Sequence, residues 1–321
     1  MSSASACPVE LVRVIRSGFH EGSHFGSLVV LDTDGSVLHA RGDVRAPIFP
    51  RSSSKPFQAV AMLQADARLA GADLAISAGS HSGEPMHTQR VQAMLERVSL
   101  TENDLGCPDA LPLDSDARHK VLAAGGVPRR IYMNCSGKHA GMLTACVQRG
   151  WDTGGYLDTG HPLQRAVHDE IARLSQETPA AVGIDGCGAP LFAISLIGLA
   201  RAFGRVNAAD AGSPDHEVAL AMRSHPEMVG GTGREDTRLM QAHSGLLVKG
   251  GAEGVHCAAL ADGRTVAVKI SDGGDRARMP VLVGGLRMFG LHSDVLDELG
   301  TGVVLGGGRP VGTVELAEGV F

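Results

Sequence analysis

Aromatic residues are scarce in this sequence, which contains one Trp, two Tyr and eight Phe among 321 residues. The chain also lacks a basic segment, because 29 Lys and Arg against 35 Asp and Glu give a formal net charge of −6. Nucleic-acid binding depends on clustered positive charge and, for single strands, on aromatic side chains that stack on bases. These two deficits argue against a nucleic-acid partner.

Long hydrophobic runs are missing as well. The longest apolar stretch, residues 191–200, contains a Ser and a Gly and is too short to cross a bilayer. The N-terminal segment lacks the apolar core of a secretory signal and contains Glu10. We therefore expect a soluble, cytoplasmic protein without a membrane partner.

Cysteine is sparse, with six residues spread along the chain, which is too few for a disulfide scaffold. In a reducing compartment these thiols remain free for metal binding or catalysis, although Cys7 and Cys107 lie outside any motif. Glycine, in contrast, is abundant at 43 residues and shows no collagen-like period. We expect these glycines to serve turns and close backbone approaches.

The apolar patterns predict an α+β fold. They indicate strands at both ends of the chain, at 9–16, 25–32, 36–42, 245–250, 254–261, 265–272 and 311–316. They indicate helices from about residue 55 and at 87–98, 116–124, 138–149, 162–175, 190–203, 215–224 and 275–290. The N- and C-terminal strands should form one antiparallel sheet packed with a largely helical middle region. We expect a single catalytic unit over residues 1–321, with candidate subregions at 1–70 plus 235–321 and at 71–234.

Residues 52–55 read Ser-Ser-Ser-Lys and begin a predicted helix. Their spacing places Ser52 and Lys55 on one face, about one turn apart. A serine hydroxyl needs an adjacent base to become a nucleophile, and a lysine amine can serve when its surroundings favour the uncharged form. The backbone N–H groups of a helix N-terminus could stabilise the resulting oxyanion. The alternative interpretation is a helix cap followed by a solvated lysine.

Lys249 is a second candidate lysine for the site. It lies in the segment 246–251, Leu-Leu-Val-Lys-Gly-Gly, whose pattern predicts a strand with Lys249 pointing inward. The glycines would let a substrate lie close to the strand edge. In serine hydrolases of the β-lactamase and penicillin-binding type, a Lys-Thr-Gly strand faces the Ser-x-x-Lys helix. Here Gly250 replaces the threonine, so the match is partial. The alternative is an ordinary lysine at a strand end.

Two small-residue loops add candidates for the same site. Residues 77–84 could place Ser80 beside a nucleophile without steric cost. Residues 228–236 contain Arg234, whose guanidinium could bind a substrate carboxylate through two parallel hydrogen bonds. The alternatives are a connection between two helices and a surface charge.

Cys135 and Cys187 each lie in a glycine-containing loop before a predicted helix. Two thiolates on separate loops could share Zn²⁺ with a nitrogen or oxygen donor, for which Lys138, His139 and Asp185 are candidates. The sequence contains no standard zinc-finger spacing, so the alternative is a pair of core thiols.

Six segments together resemble the rhizobial-type, thermolabile L-asparaginase II family across most of the chain: PRSSSKPFQA (50–59), GSHSGEPMH (79–87), NCSGKHAGML (134–143), DGCGAP (185–190), HPEMVGGTGREDT (225–237) and LLVKGGAEG (246–254). The resemblance implies a β-lactamase-like fold. It implies hydrolysis of L-asparagine to L-aspartate and ammonia through a Ser/Lys acyl-enzyme with a zinc site nearby, in a homodimer.

The resemblance also implies roles residue by residue. The catalytic set is Ser52, Lys55, Ser80 and Lys249, with Ser52 as the expected nucleophile and Ser80 as the other serine that could be acylated. The zinc ligands are Cys135, Lys138 and Cys187, which favours Lys138 over His139 as the third ligand. The expected substrate-binding residues are Arg51, His139, Asp185, Gly188 and Arg234.

Gly83 and the short region 60–75 depart from the family pattern and leave the choice between asparagine, glutamine and other amides open. Three other functions remain as alternatives. The first is a β-lactamase-like or other amide hydrolase or peptidase. The second is a zinc hydrolase in which metal-bound water attacks directly. The third is a non-catalytic sensor of a ligand through zinc or thiols.

Overall fold

The structure, a computed structural model, describes residues 8–321, so Cys7 lies outside the described part. The strands are β1 (Val9–Arg16), β2 (Phe19–Leu31), β3 (Val37–Arg41), β4 (Pro47–Ile48), β5 (Val182–Ile184), β6 (Pro190–Phe192), β7 (Ile194–Ser195), β8 (Leu247–Gly250), β9 (Val255–Ala259), β10 (Thr265–Ile270), β11 (Gly302–Gly306) and β12 (Arg309–Leu316). The helices are α1 (Lys55–Gln64), α2 (Gly71–Ser77), α3 (Pro85–Arg97), α4 (Ser115–Ala123), α5 (Ser136–Arg149), α6 (Pro162–Ser175), α7 (Leu196–Asn207), α8 (Pro214–Ser224), α9 (Pro226–Val229), α10 (Glu235–Ala242), α11 (Arg278–Met288) and α12 (Asp294–Leu299).

The main sheet is antiparallel and joins both ends of the chain in the order β11-β12-β1-β2-β10-β9-β8, with β3 paired to the second half of β2. Ser17 and Gly18 both have positive φ, as the tight turn of the β1–β2 hairpin requires. Gly26 lies where β1 and β10 both pair with β2, and a Cβ there would lie 2.2 Å from the Lys269 carbonyl oxygen. The predicted α+β class, with N- and C-terminal strands in one sheet, is confirmed.

The helical region packs around α1, which is buried along most of its length and contacts α5, α6 and α8. Helices α7 and α11 pack on strands β9 and β10. The buried apolar side chains of the sheet and the helices form one continuous core. The two candidate subregions stay a prediction. No helix within residues 8–321 combines the length and the apolar character that spanning a membrane would need.

The helix predicted at 190–203 is wrong in its first half. Residues 190–195 form β6 and β7, which pair with β5 and β4, and α7 begins only at Leu196. Ser195 has an extended backbone, and its hydroxyl accepts a hydrogen bond from the Gly198 N–H as the helix cap. A short apolar run satisfies a buried strand as well as a buried helix, so periodicity alone could not separate them.

Candidate active site

The turn that carries Ser52 leads directly into α1. A 3₁₀ turn covers Arg51–Ser54, and Arg51 has a φ of +52°, an uncommon backbone conformation for a residue with a side chain. Two contacts hold it: Arg51 Nε donates to Asp185 Oδ1 at 2.8 Å, and Ser54 Oγ donates to the Arg51 carbonyl oxygen at 2.8 Å. These contacts connect the turn that contains the half-buried Ser52 to Asp185 in the β5–β6 hairpin.

Lys55, the first residue of α1, is buried and points at the loop after α2. Its amine donates to the Gly79 carbonyl oxygen at 2.5 Å and to Ser80 Oγ at 2.9 Å. The Ser80 N–H donates to the Val229 carbonyl oxygen at 2.7 Å, which ties the loop to α9. The hydrogen-bonding partner of Lys55 is thus Ser80, and Ser52 Oγ makes no hydrogen bond within residues 8–321.

Lys249 lies at the end of β8 with 1% of its surface exposed. Its amine donates to the Gly250 carbonyl oxygen at 2.7 Å and lies 3.5 Å from Asp236 Oδ2. Burial lowers the pKa of Lys249 to about 8; the Asp236 carboxylate opposes this shift, and the charges of Lys55 and Arg234 reinforce it. This amine therefore loses its charge as the pH rises through about 8.

The two glycines after Lys249 leave room for neighbouring groups. A Cβ on Gly250 would lie 3.0 Å from His256 Cε1 and 3.3 Å from Arg278 Nη1. A Cβ on Gly251 would lie 2.7 Å from the Pro50 carbonyl oxygen and 2.9 Å from Ser53 Oγ. The end of β8 therefore approaches the Ser52 turn closely, and only glycine permits it.

These elements enclose a cavity of about 190 Å³. Its lining includes two serines, an asparagine, a lysine, a histidine, two arginines and three carboxylates: Ser52, Ser80, Asn134, Lys249, His256, Arg234, Arg278, Glu235, Asp236 and Asp275. The volume lies below the roughly 300–1,000 Å³ of pockets for drug-sized ligands. A small, charged molecule fits this lining better than a large apolar one.

A second cluster lies where the start of α5 meets the β5–β6 hairpin. The Cys135 thiol, the Asp185 carboxylate and the Cys187 thiol lie within 4.8 Å of one another, and Lys138 Nζ donates to Cys187 Sγ at 3.0 Å. Gly188, with a φ of +85°, closes the hairpin loop that turns Cys187 inward. The cysteines are free and buried.

The electrostatics of this cluster favour one thiolate. A hydrogen bond from Cys187 lowers the pKa of the Cys135 thiol to about 5, and the nearby Lys55 and Lys138 charges act in the same direction. That hydrogen bond and burial raise the pKa of Cys187. Burial alone would lower the pKa of the Lys138 amine, but the two sulfur groups outweigh it and raise this pKa. Two thiols, a carboxylate and an amine are a donor set that could hold a metal ion.

The profile of the family described as "L-asparaginase II" matches residues 12–316. The chain belongs to the L-asparaginase II family. It is accordingly a hydrolase of the asparaginase type, with a small-molecule amide as the substrate that the family implies. No curated protein gives a significant match to the sequence.

The chain was also compared with solved structures, and three matches follow. A protein of Bacteroides dorei DSM 17855, provisionally named a β-lactamase, is 15% identical, with 85% of this chain and 93% of that chain covered and a TM-score of 0.44. A β-lactamase of Mycobacterium bovis is 14% identical, with 82% and 93% covered and a TM-score of 0.44. EstCE1, a hydrolase with promiscuous acyltransferase activity, is 15% identical, with 77% and 88% covered and a TM-score of 0.40. At these identities and TM-scores the likenesses carry no argument.

The structure of this L-asparaginase II family member separates the predicted site residues into two groups. Four of them line the cavity: Ser52, Ser80, Lys249 and Arg234. The second group forms the thiol cluster of Cys135, Asp185 and Cys187 with Lys138, which the ion pair between Arg51 and Asp185 connects to the Ser52 turn. Lys55 does not line the cavity itself and contacts it through its hydrogen bond to Ser80.

Two predicted substrate-binding residues lie away from the cavity lining. His139 is fully buried, and its Nδ1 shares a 2.6 Å hydrogen bond with the Tyr156 hydroxyl. Burial lowers the pKa of His139, so its ring stays neutral beside Cys187. Gly188 acts through the backbone of the hairpin loop.

Sequence reasoning missed other lining residues, namely Asn134, Glu235, Asp236, His256, Asp275 and Arg278. Asn134 and Asp236 lie within motif segments of the sequence. Asn134 precedes Cys135, and Asp236 lies two residues after Arg234. His256 lies opposite Gly250 in the β8–β9 register, and Arg278 begins α11. Only the strand pairing and the position of α11 bring these two side chains to the cavity, so no local pattern indicates them.

Proposed function

We propose that this protein is an L-asparaginase that hydrolyses L-asparagine to L-aspartate and ammonia through a serine acyl-enzyme. The observation that carries the proposal is the cavity that contains Ser52, Ser80 and Lys249, with Ser80 hydrogen-bonded to the buried Lys55. Two hydroxyls with two lysine amines supply both a nucleophile and a proton acceptor. Family membership supplies the amide as substrate.

In the proposed reaction, Ser52 Oγ attacks the side-chain amide carbon of asparagine and its proton passes to a lysine amine. The groups that take up and return this proton are the Lys55 amine with the Ser80 hydroxyl, which are hydrogen-bonded to each other, and the Lys249 amine. Ammonia leaves with the returned proton, and water then hydrolyses the ester to release aspartate and the free serine. Ser80 is the alternative nucleophile because its hydroxyl already contacts a lysine amine.

The charged lining suits the α-substituents of a free amino acid. Arg234 and Arg278 offer guanidinium groups to the α-carboxylate, while Glu235 and Asp275 offer carboxylates to the α-ammonium group. Arg278 is nearly buried and is held by the Gly251 carbonyl oxygen at 3.0 Å, so it presents a fixed donor.

We propose Zn²⁺ as the metal of the second cluster, held by Cys135, Lys138 and Cys187 with Asp185 beside them. The fit rests on two buried free thiols and the amine and carboxylate next to them. A bound Zn²⁺ would supply a fixed positive charge and Lewis acidity near the cavity. To bind the metal, the Lys138 amine must release its proton.

The test is ammonia release from L-asparagine, L-glutamine and, in parallel, nitrocefin hydrolysis by the wild-type protein and by Ser52→Ala, Ser80→Ala and Lys55→Met. Ser224→Ala and Lys120→Met, both at exposed positions outside the cavity, are matched controls. We expect ammonia from asparagine with wild type and controls, a loss of at least about 100-fold in Ser52→Ala and Lys55→Met, and an acyl-enzyme that hydroxylamine traps.

Three results would contradict this proposal. Equal rates of ammonia release in wild type and all variants would exclude the serine mechanism. Activity that survives both serine substitutions and disappears with a chelator would indicate attack by metal-bound water. Nitrocefin hydrolysis without ammonia release from asparagine would indicate a β-lactamase.

A further inference from the structure

The carboxylate of Asp236 lies at a junction of three elements that meet at the cavity. Asp236 is the second residue of α10 and is 8% exposed. Its Oδ1 accepts a hydrogen bond from His256 Nε2 at 2.7 Å. Its Oδ2 accepts from the Gly250 N–H at 3.0 Å and from Lys249 Nζ at 3.5 Å. One side chain thus connects α10 with β8 and β9.

We propose that Asp236, oriented by His256, is a positioning residue that holds the Lys249 amine and the Gly250 peptide in place for the reaction. The inference rests on the proposed amidohydrolase function and adds two residues to it. A lysine amine ends a flexible four-carbon chain and has three rotatable donors, so its position depends on its acceptors. Here the acceptors are Asp236 Oδ2 and the Gly250 carbonyl oxygen, and the Gly250 N–H is itself bound to Asp236.

His256 supports this arrangement from β9. It lies opposite Gly250 in the strand register and is fully buried. Because the Asp236 carboxylate accepts the hydrogen bond from the Nε2–H group, the ring orientation is set, while Nδ1 has no partner within residues 8–321. The ring also occupies the space that a side chain at residue 250 would need. Residue 250 must therefore be glycine for the His256 ring to lie beside it and contact Asp236.

The charges around the Lys249 amine determine what happens when Asp236 is changed. The groups that face it are Asp236 from α10, Lys55 from α1, Arg234 before α10 and His256 from β9, with Glu235 and Arg278 farther along the cavity wall. The Asp236 carboxylate favours the protonated amine, and the cations oppose it. Removing that carboxylate charge lets the uncharged amine form at lower pH. If the uncharged Lys249 amine accepts the proton of the nucleophilic serine, the rise of kcat/KM with pH moves to lower pH in the variant.

The experiment compares wild type with Asp236→Asn, which keeps the shape and removes the charge, and with Asp262→Asn as an exposed control in the β9–β10 turn. We expect the rise of kcat/KM in Asp236→Asn to move down by about one to three pH units, with KM changed less than about twofold. Asp236→Ala should also leave the Lys249 amine and the Gly250 peptide without their acceptor, and we expect it to lower kcat by about 10–100-fold. A fold-stabilising role alone would lower the unfolding temperature and leave the pH profile in place, which would overturn the inference.

A second pair of variants covers the case in which Asp236→Asn fails to fold. His256→Gln keeps an N–H donor toward Asp236, whereas His256→Phe removes it. We expect His256→Gln to restore most of the kcat that His256→Phe loses, at similar KM. Equal kcat in both variants would contradict the proposed role of His256.

A readout without substrate separates this inference from the proposed function. The Lys249 amine is titrated by NMR in protein containing isotope-labelled lysine, with Lys249→Arg to assign its signal, in wild type and Asp236→Asn. A lower titration midpoint in Asp236→Asn supports the inference even if wild type releases no ammonia, in which case only the function is wrong. Ammonia release by wild type with an unchanged midpoint overturns the inference and leaves the function intact.

Discussion

The missing side chain at Gly250 shows how a single residue shapes this cavity. In serine hydrolases with a Lys-Thr-Gly strand, a threonine stands at the equivalent place. Here the space beside Gly250 holds the His256 ring and the Arg278 guanidinium. At the place of that threonine, two side chains from other elements therefore line the cavity.

We expect Gly250→Thr to displace Arg278 and His256 because its Cβ alone would lie 3.0–3.3 Å from them. The kcat/KM for asparagine should fall at least about tenfold, equivalent to about 1.4 kcal/mol. Steady-state kinetics of ammonia release measure this. Gly22→Thr, in open space on β2, is the control and should behave as wild type. Unchanged kinetics in Gly250→Thr would show that the substrate does not depend on these two side chains.

The pH dependence of the reaction should report Lys249. Burial depresses its pKa to about 8, so the amine loses its charge as the pH rises through about 8. If the uncharged form accepts a proton, kcat/KM should rise with pH up to about 8 and then level off. Lys249→Met should remove this rise along with most of the activity, while Lys120→Met should retain it. A wild-type kcat/KM that is flat or falls between pH 6 and 9 would contradict the assignment.

At the scale of elements, close packing between α2 and α5 couples the thiol cluster to the Ser80 loop. A Cβ on Gly137 would lie 2.6 Å from the Ile76 carbonyl oxygen, and one on Gly141 would lie 2.5 Å from Ser77 Oγ. The first turn of α5, which follows Cys135 and contains Lys138, thus lies against the end of α2. Any separation of these helices would move Cys135 and Lys138 relative to Ser80.

We expect Gly137→Ala to force α5 away from α2 and to destabilise the protein by about 1–3 kcal/mol, since a backbone oxygen cannot give way as a flexible side chain could. Its zinc content per chain should fall as well. Urea unfolding and metal analysis measure the two effects. Gly160→Ala, which meets nothing within 4 Å, is the control. Wild-type stability in Gly137→Ala would mean that the helices tolerate the separation.

For the whole molecule, the thiol cluster joins segments that are far apart in the chain. Cys135 immediately precedes α5 and Cys187 lies in the β5–β6 hairpin, while Arg51 connects that hairpin to the Ser52 turn. A metal bound to this cluster would therefore stabilise the contact between the helical region and the site. Because a ligand that binds only the folded state stabilises it by mass action, the effect should depend on metal concentration.

We expect Zn²⁺ to raise the unfolding temperature, with a gain of about 2.7 kcal/mol in the free energy of unfolding at a free concentration of 100 times Kd. A chelator should reverse the gain, and the double variant Cys135→Ser/Cys187→Ser should show none. Cys146→Ser, a buried thiol within α5, should retain the zinc-dependent rise whatever its starting stability. A zinc effect that persists in the double variant would place the metal elsewhere.

The sequence by itself determined the α+β class, most helices and strands, and the segments that contribute to the site. It did so because amphipathic periodicity, caps and turn residues act over a few positions, as in α6, whose predicted range 162–175 matches the structure. Only the tertiary structure decided that Lys55 contacts Ser80, that residues 190–195 are strands, and that Asp236, His256 and Arg278 meet at the cavity. These contacts join elements distant in the chain, and their geometry depends on strand register and helix packing, which no local pattern encodes.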